Sequence, residues 1–178
     1  DVVERYKARL VIKEYSQKKG IDYEETFSPV ARYSSIRLLL ALAVKHDLDI
    51  DQMDVVTAFF QSELNEDIYM QFPEGFQSQN GKVCKLKKSL YGLKQASRCW
   101  NEKLNKTLIE FGMNQSKTDP CIYYYVEGEI RVYIVDDILI FSDNPSMKMN
   151  IKTFSMSNFK MKDIGNASFI LGMKITRD

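Results

Sequence analysis

A chain of 178 residues with a formal net charge of +1 and 44 % hydrophobic residues is long enough to bury a sizeable core, as one domain or one domain plus part of another. That charge excludes a uniformly polybasic binder, and the longest apolar run, Leu38 to Val44, is far too short to span a bilayer. Cys84, Cys99 and Cys121 are odd in number and contain no C-x-x-C pair, and His46 is the single histidine; together these exclude a disulfide framework and a zinc site and fit a reducing, intracellular setting. No signal pattern opens the chain, and both ends read as interior to a longer protein, so a fragment is expected.

In chain order, residues 5–19 are basic around a short predicted strand, Leu10-Val-Ile12. Alternation puts Lys7 and Arg9 on one face of it, either as a solvated face or as an anion contact. After a loop over 20–29, Ser34 and Ser35 are N-cap candidates for a helix over 36–45. Its Leu-Leu-Leu-Ala-Leu-Ala run is apolar nearly all round and predicts a well-buried helix, with His46 at its polar end. Leu48 to Val55 predicts a strand, with Asp49 and Asp51 on a solvated face and Asp54 at its end.

Residues 68–72 and 83–86 predict two strands around a turn-rich loop. The charge then inverts. Residues 47–67 hold Asp47, Asp49, Asp51, Asp54, Glu63, Glu66 and Asp67 and no Lys or Arg; residues 82–106 hold Lys82, Lys85, Lys87, Lys88, Lys94, Arg98, Lys103 and Lys106 against Glu102 alone. That division suits a protein that binds metal ions in one place and a polyanion in another. Leu93, Ala96, Trp100, Leu104, Leu108 and Phe111 recur at three- and four-residue steps and predict a helix over 93–111, stopped by Gly112. Trp100 reads as core. Asp119-Pro120 opens a strand over 121–126, and Glu127-Gly128 turns it into the next. A helix over 147–159 and a final strand over 169–175, with Gly172 inside it, complete the chain.

The chemistry concentrates in Arg131-Val-Tyr-Ile-Val-Asp-Asp-Ile-Leu-Ile-Phe141. Asp136 and Asp137 interrupt an apolar, β-branched run, which predicts strand, tight turn, strand. Asp is a common turn residue, so a solvated hairpin tip is one reading. The other is a metal site, because paired carboxylates in apolar surroundings are costly and a hard divalent cation relieves them. Asp54 with Asp136 and Asp137, side by side in one antiparallel sheet, could hold two Mg²⁺ ions about 4 Å apart, as in-line phosphoryl transfer requires. No Walker-type loop is present, and one histidine makes no convincing Ser-His-Asp triad, so the carboxylates remain the only chemistry of substance.

Further segments set these acids in context: Tyr6-Lys-Ala-Arg-Leu-Val11, Asp22-Tyr-Glu-Glu-Thr-Phe-Ser-Pro-Val-Ala-Arg32, Gln52-Met-Asp-Val-Val-Thr-Ala-Phe59, Ile68-Tyr-Met70, Leu90-Tyr-Gly-Leu-Lys-Gln-Ala96 with Trp100, Asp119-Pro-Cys121, Val135-Asp-Asp137 and Phe159-Lys-Met-Lys-Asp163. Ordered along nearly the whole chain, they resemble the reverse transcriptase of copia-type retrotransposons. The resemblance implies an α+β fold, part of the fingers plus the palm of a right-hand polymerase, with an antiparallel palm sheet flanked by helices and the two regions interleaved in sequence. Thumb, connection and ribonuclease H regions are expected to lie outside it.

The resemblance also implies RNA-directed DNA synthesis with Mg²⁺, or Mn²⁺ in its place. Asp54, Asp136 and Asp137 would be the catalytic, metal-binding acids, and the Val55 carbonyl a further metal ligand. Lys7, Arg9, Phe59, Tyr91, Gly92 and Gln95 would bind the nucleotide. Phe59 would serve as the gate under its sugar, with core packing as the alternative. Lys87, Lys88, Lys94 and Arg98 would face nucleic acid. Implied partners are an RNA template, a DNA primer, deoxynucleoside triphosphates and the integrase and ribonuclease H parts of a Pol polyprotein, with no membrane. The implied location is a cytoplasmic virus-like particle or the nucleus. Ile134 stands where the family usually has Tyr, Val56 where it has Lys, Ser97 where it has Pro and Glu14 where it has Gly. These departures keep a second reading open, a catalytically weak remnant that at most binds nucleic acid.

Overall fold

A computed structural model describes residues 6, 8–76, 81–127, 130–135 and 138–176. In chain order the elements are α1 (Tyr33–His46), β1 (Asp49–Val55), β2 (Tyr69–Met70), β3 (Cys84–Lys85), α2 (Ala96–Glu110), β4 (Asn114–Gln115), β5 (Ile122–Glu127), β6 (Ile130–Val135), β7 (Leu139–Ser142), α3 (Pro145–Asn158), β8 (Met161–Asn166), β9 (Phe169–Ile170) and β10 (Met173–Lys174), with 3₁₀ turns at Glu14–Ser16 and Ala58–Gln61. Mixed helix and antiparallel sheet agree with an α+β chain. Two compact units divide it: residues 1–28 with 58–102, and residues 29–57 with 103–178.

The second unit is built on a six-stranded sheet of order β4-β5-β6-β7-β1-β8, antiparallel at every pairing. β-branched and aromatic residues supply its centre. Val132, Ile134, Val135, Ile140 and Phe141 are all essentially inaccessible, and full burial of such side chains contributes about 1.5–3 kcal/mol each. Successive strand residues face opposite ways, and here each face has its own cover. On one face Ile36, Leu39 and Ala43 of α1 pack with Leu48, Val135, Leu139 and Phe141. On the other, α3 reaches Asp51 through Lys152, and Phe154 of α3 meets Phe111 at 5.1 Å between ring centroids.

Several expectations change here. α1 is not buried all round: Leu38 and Val44 are 58 % and 87 % exposed, because only the stripe through Ile36, Leu39 and Ala43 meets the sheet. Neither Ser34 nor Ser35 is its N-cap. Arg32 holds that position without a side-chain cap, and the cap comes from a distant residue. The Asp119 carboxylate accepts from the Arg32 N–H at 3.1 Å and the Ser35 hydroxyl at 2.6 Å. Asp51 is not on a solvated face; it is buried and paired with Lys152 and, at 3.2 Å, Lys148. Pro145 opens α3 two residues ahead of expectation, with Asn144 accepting from the Met147 N–H at 2.8 Å, an N-cap followed by proline. The expected strand over 169–175 is a hairpin of β9 and β10. Leu171 and Gly172, with φ of 46° and 77°, make the tight turn that Gly172 permits.

In the first unit, β2 pairs with β3, each shorter than the sequence suggests. Ile68, Leu90, Leu93 and Ala96 form its core, with Ile12, Phe59, Leu64, Met70 and Leu86 packed around them. Residues 10–12 form no strand. The Ile12 N–H donates instead to the Tyr91 carbonyl at 2.8 Å, a single docking bond in place of a ladder. α2 begins at Ala96, not Leu93, because Gly92 sits at φ 88° in a turn that leaves Lys94 outside the helix.

Candidate active site

Asp54 stands at the end of β1, an interior strand held on both sides. Toward β7, Gln52 pairs with Leu139 and the Met53 N–H donates to the Ile138 carbonyl at 3.0 Å. Toward β8, Asp54 lies opposite Lys162 and Val55 opposite Met161, and the Val56 N–H donates to the Lys160 carbonyl at 2.9 Å. The Asp54 carboxylate is exposed, and no described cation forms an ion pair with it. Asp136 and Asp137 lie outside the described residues. Their chain neighbours are placed: Val135 ends β6 and pairs with Leu139 at the start of β7. Among the described residues, no group of three or more His, Cys, Asp or Glu could hold a metal ion.

Alternation assigns the faces around this site. Ile50 pairs with Phe141, which pairs with Tyr133, so Tyr133 shares a face with Ile50, Gln52 and Asp54. Ile134 pairs with Ile140, which pairs with Asp51, and is 1 % exposed on the opposite face. Lys162 was not singled out in the sequence. Its signal was the register, since a residue directly opposite across an antiparallel pair projects to the same face.

In the first unit, Lys7 lies outside the described residues. The Arg9 guanidinium sits over the Tyr91 ring, 5.9 Å from its centroid. Phe59 meets the same ring edge-on, 4.7 Å between centroids at 64°. Phe59 is only half-buried and packs beside the Ile68 and Leu90 core. At Gly92 an added Cβ would stand 2.3 Å from the Ile12 carbonyl oxygen, so the segment carrying Arg9 is seated on a backbone only glycine can offer.

The remaining predicted residues divide by how far they are engaged within the fold. Gln95 is fully buried, donating to the Asp22 carbonyl at 2.9 Å and accepting from Gln17 at 3.1 Å, so its amide ties together the loop over 17–22. Lys94 lies over the Tyr23 ring at 5.1 Å, and its N–H donates to Gln17 at 2.8 Å. The Arg98 guanidinium pairs with Glu66 at 2.7 Å and Glu102 at 2.8 Å and donates to the Glu25 carbonyl at 2.9 Å. Burial alone would lower the Arg98 pKa, but Glu102 and Glu66 hold it above the ordinary value. Lys87 and Lys88 are exposed.

The sequence also hid an ion-pair network in the second unit. Lys152 joins Asp51 to Asp163, at 2.8 Å from the latter, while Lys148 reaches Asp49 at 3.1 Å and Asp51 at 3.2 Å. Burial pushes the Lys152 ammonium down, but Asp163 and Asp51 outweigh it and raise its pKa. Burial likewise pushes Asp163 up, and Lys152 with the Gly165 N–H more than reverses it. The i, i+4 spacing of Lys148 and Lys152 was the available signal.

A family model described as reverse transcriptase (RNA-dependent DNA polymerase) matches residues 1–178. The Retrovirus-related Pol polyprotein from transposon TNT 1-94 of Nicotiana tabacum is 47 % identical over 98 % of this chain and 14 % of its own length. The polyproteins from transposons RE1 and RE2 of Arabidopsis thaliana are 42 % and 38 % identical, each over 97 % of this chain and 12 % of their own length. The chain thus spans about one-eighth of the length of these relatives. No solved structure matches it. A match along the whole chain, with relatives above 30 % identity across nearly all of it, makes this chain a member of the reverse transcriptase family of copia-type transposon polyproteins.

Proposed function

We propose that this chain is the fingers-and-palm part of an RNA-directed DNA polymerase that extends a DNA primer on an RNA template. The six-stranded sheet is the palm, and the unit containing Arg9, Phe59 and Tyr91 belongs to the fingers. The observation that carries the reading is the position of Asp54. It ends an interior strand paired to β7, and β7 is the strand that follows Asp136-Asp137 in sequence. Asp54 suits a hard metal ion: it is a carboxylate exposed at a strand end with no described cation paired to it, unlike Asp51, which two lysines occupy. Asp54, Asp136, Asp137 and the Val55 carbonyl would hold Mg²⁺ through oxygen donors.

When bound, the metal ions supply an activated primer hydroxyl and charge neutralisation of the phosphates. The primer 3′-hydroxyl gives up its proton to water, its oxygen forms a bond to the α-phosphorus, the bond to the bridging oxygen breaks, and pyrophosphate leaves. The carboxylates of this chain hold that geometry; Arg9 faces the triphosphate, and the Phe59 ring excludes a 2′-hydroxyl from beneath the sugar. Lys87 and Lys88 face the nucleic-acid backbone, where exposed cations bind phosphates electrostatically.

Primer extension on an RNA template by the full chain tests the reading. Asp54→Asn and Asp136→Asn are each expected to lower synthesis at least about a hundredfold, and chelation of divalent ions to abolish it, with the fold unchanged by circular dichroism. Synthesis that survives either substitution would sink the mechanism. One observation favours a second reading, a weak remnant that only binds nucleic acid: a fully buried isoleucine at position 134, where the family usually carries tyrosine. Salt-sensitive RNA binding without Mg²⁺-dependent synthesis would support it.

A further inference from the structure

We infer that the outer face of the β2–β3 ribbon, where Lys85 lies over the ring of Tyr69, is a stacking platform for unpaired bases of an RNA template. That the RNA is a template rests on the polymerase reading above; the platform itself does not. Ile68-Tyr-Met70 is one of the ordered family segments, and neither the metal site nor the nucleotide-binding residues draw on it. Its alternation separates two faces. Ile68 belongs to the core of the first unit, with Met70 and Leu86 packed around it, so Tyr69 projects the other way and is 55 % exposed. Across the ribbon Tyr69 pairs with Lys85, and the Lys85 ammonium stands 5.8 Å from the Tyr69 ring centroid, within cation–π range.

A ring beside an ammonium matches the repeating unit of a single strand. Every base offers a π-face to an aromatic side chain, and every link offers a phosphate to a cation. The charge around the ribbon agrees. Residues 67–88 hold Lys82, Lys85, Lys87 and Lys88 against Asp67 and Glu74, and all four lysines are exposed. Lys85 is paired with Asp67 at 2.6 Å, with both side chains more than half exposed. Such a pair contributes little, so a phosphate can displace the carboxylate. A duplex does not fit this face, because its bases are already covered by their neighbours. The Tyr69–Lys85 pair also braces the ribbon as a cross-strand contact, but bracing alone would leave RNA affinity unmoved.

The test is binding of the full chain to a short oligouridine RNA, without nucleotide or divalent ions, beside a blunt RNA–DNA duplex. Tyr69→Leu removes the ring and keeps apolar bulk. It is expected to weaken oligouridine binding roughly tenfold with an unchanged salt slope, and to leave duplex binding within about twofold. Tyr69→Phe keeps the ring and is expected to stay within about twofold of the unsubstituted chain on both probes. Lys85→Ala is expected to lower the log–log salt slope by about 0.7, one phosphate contact on a single strand. Ultraviolet crosslinking of bromouridine-substituted RNA is expected to label the peptide that contains Tyr69. Equal oligouridine binding by Tyr69→Leu and Tyr69→Phe overturns the assignment and leaves the polymerase reading standing. So does a Tyr69→Leu chain whose self-association changes in sedimentation while its RNA affinity does not. Tyr69-dependent RNA binding by a chain that makes no Asp54-dependent product upholds the platform and overturns the polymerase reading.

Discussion

Gly92 shows how much a single residue decides. Its φ of 88° is left-handed, which costs a residue with a Cβ roughly 1–2 kcal/mol before any contact is counted. The Cβ would also sit 2.3 Å from the Ile12 carbonyl oxygen, which is backbone and cannot swing aside. Gly92→Ala is therefore expected to destabilise the first unit by more than about 2 kcal/mol, read as a lower urea midpoint, and to release the Ile12 amide to hydrogen exchange. Gly112, also at positive φ, has nothing within 4 Å of its added Cβ, so Gly112→Ala is expected to show only the backbone cost. The sequence presented Gly92 inside a family segment, but not the chain that crosses over it, because Ile12 and Gly92 are eighty residues apart. The same distance hid the role of Gln95, whose amide is spent inside the fold.

At the level of elements, α3 is fastened to the sheet by charge. Asp51 and Lys152 have side chains 5 % and 6 % exposed, and removing one partner of a buried pair leaves the other charge without its compensation. Asp51→Ala is expected to cost about 3–5 kcal/mol, whereas Asp49→Ala, with a side chain 55 % exposed, is expected to cost no more than about 1 kcal/mol. Urea unfolding of both variants checks the contrast. The pH dependence has two sides. The Asp163 pKa is lowered, so its contribution is present above the ordinary carboxylate value of about 4 and is lost as pH falls through the depressed value. The Lys152 pKa is raised, so its contribution is complete below about 10.4 and is lost as pH rises through the raised value. A stability plateau between these limits is expected, with Asp163→Asn removing much of the acid-side fall. Helix and strand identity were mostly legible from period and composition. Their ends were not, since the α1 cap comes from Asp119, beyond β1, β2, β3, α2 and β4 in the chain.

For the whole molecule, the path of the chain matters more than its composition. Each compact unit is made of two separated stretches, so no single cut yields either one intact. Removing residues 1–28 would take Ile12, Gln17 and Asp22 from the contacts they make with Tyr91, Lys94 and Gln95, and is expected to leave the rest of the first unit without cooperative unfolding. Charge acts at this scale too. A net charge of +1 conceals the basic stretch over 82–106, in which Lys87 and Lys88 are exposed while Arg98 is engaged by Glu66 and Glu102. If the two lysines contact phosphates, replacing both with alanine should reduce the salt dependence of RNA binding by about 1.4 in log–log slope. An unchanged slope would move the nucleic-acid face elsewhere.

The sequence by itself determined the family, the α+β composition and the acids worth testing, because those rest on local pattern and on ordered motifs that read the same before and after folding. The register of β1 between β7 and β8, the burial of Asp51 and the meeting of Arg9, Phe59 and Tyr91 on one ring were decided by tertiary structure alone. Each joins residues far apart in the chain, and whether a charge is solvated or paired depends on which distant element covers it.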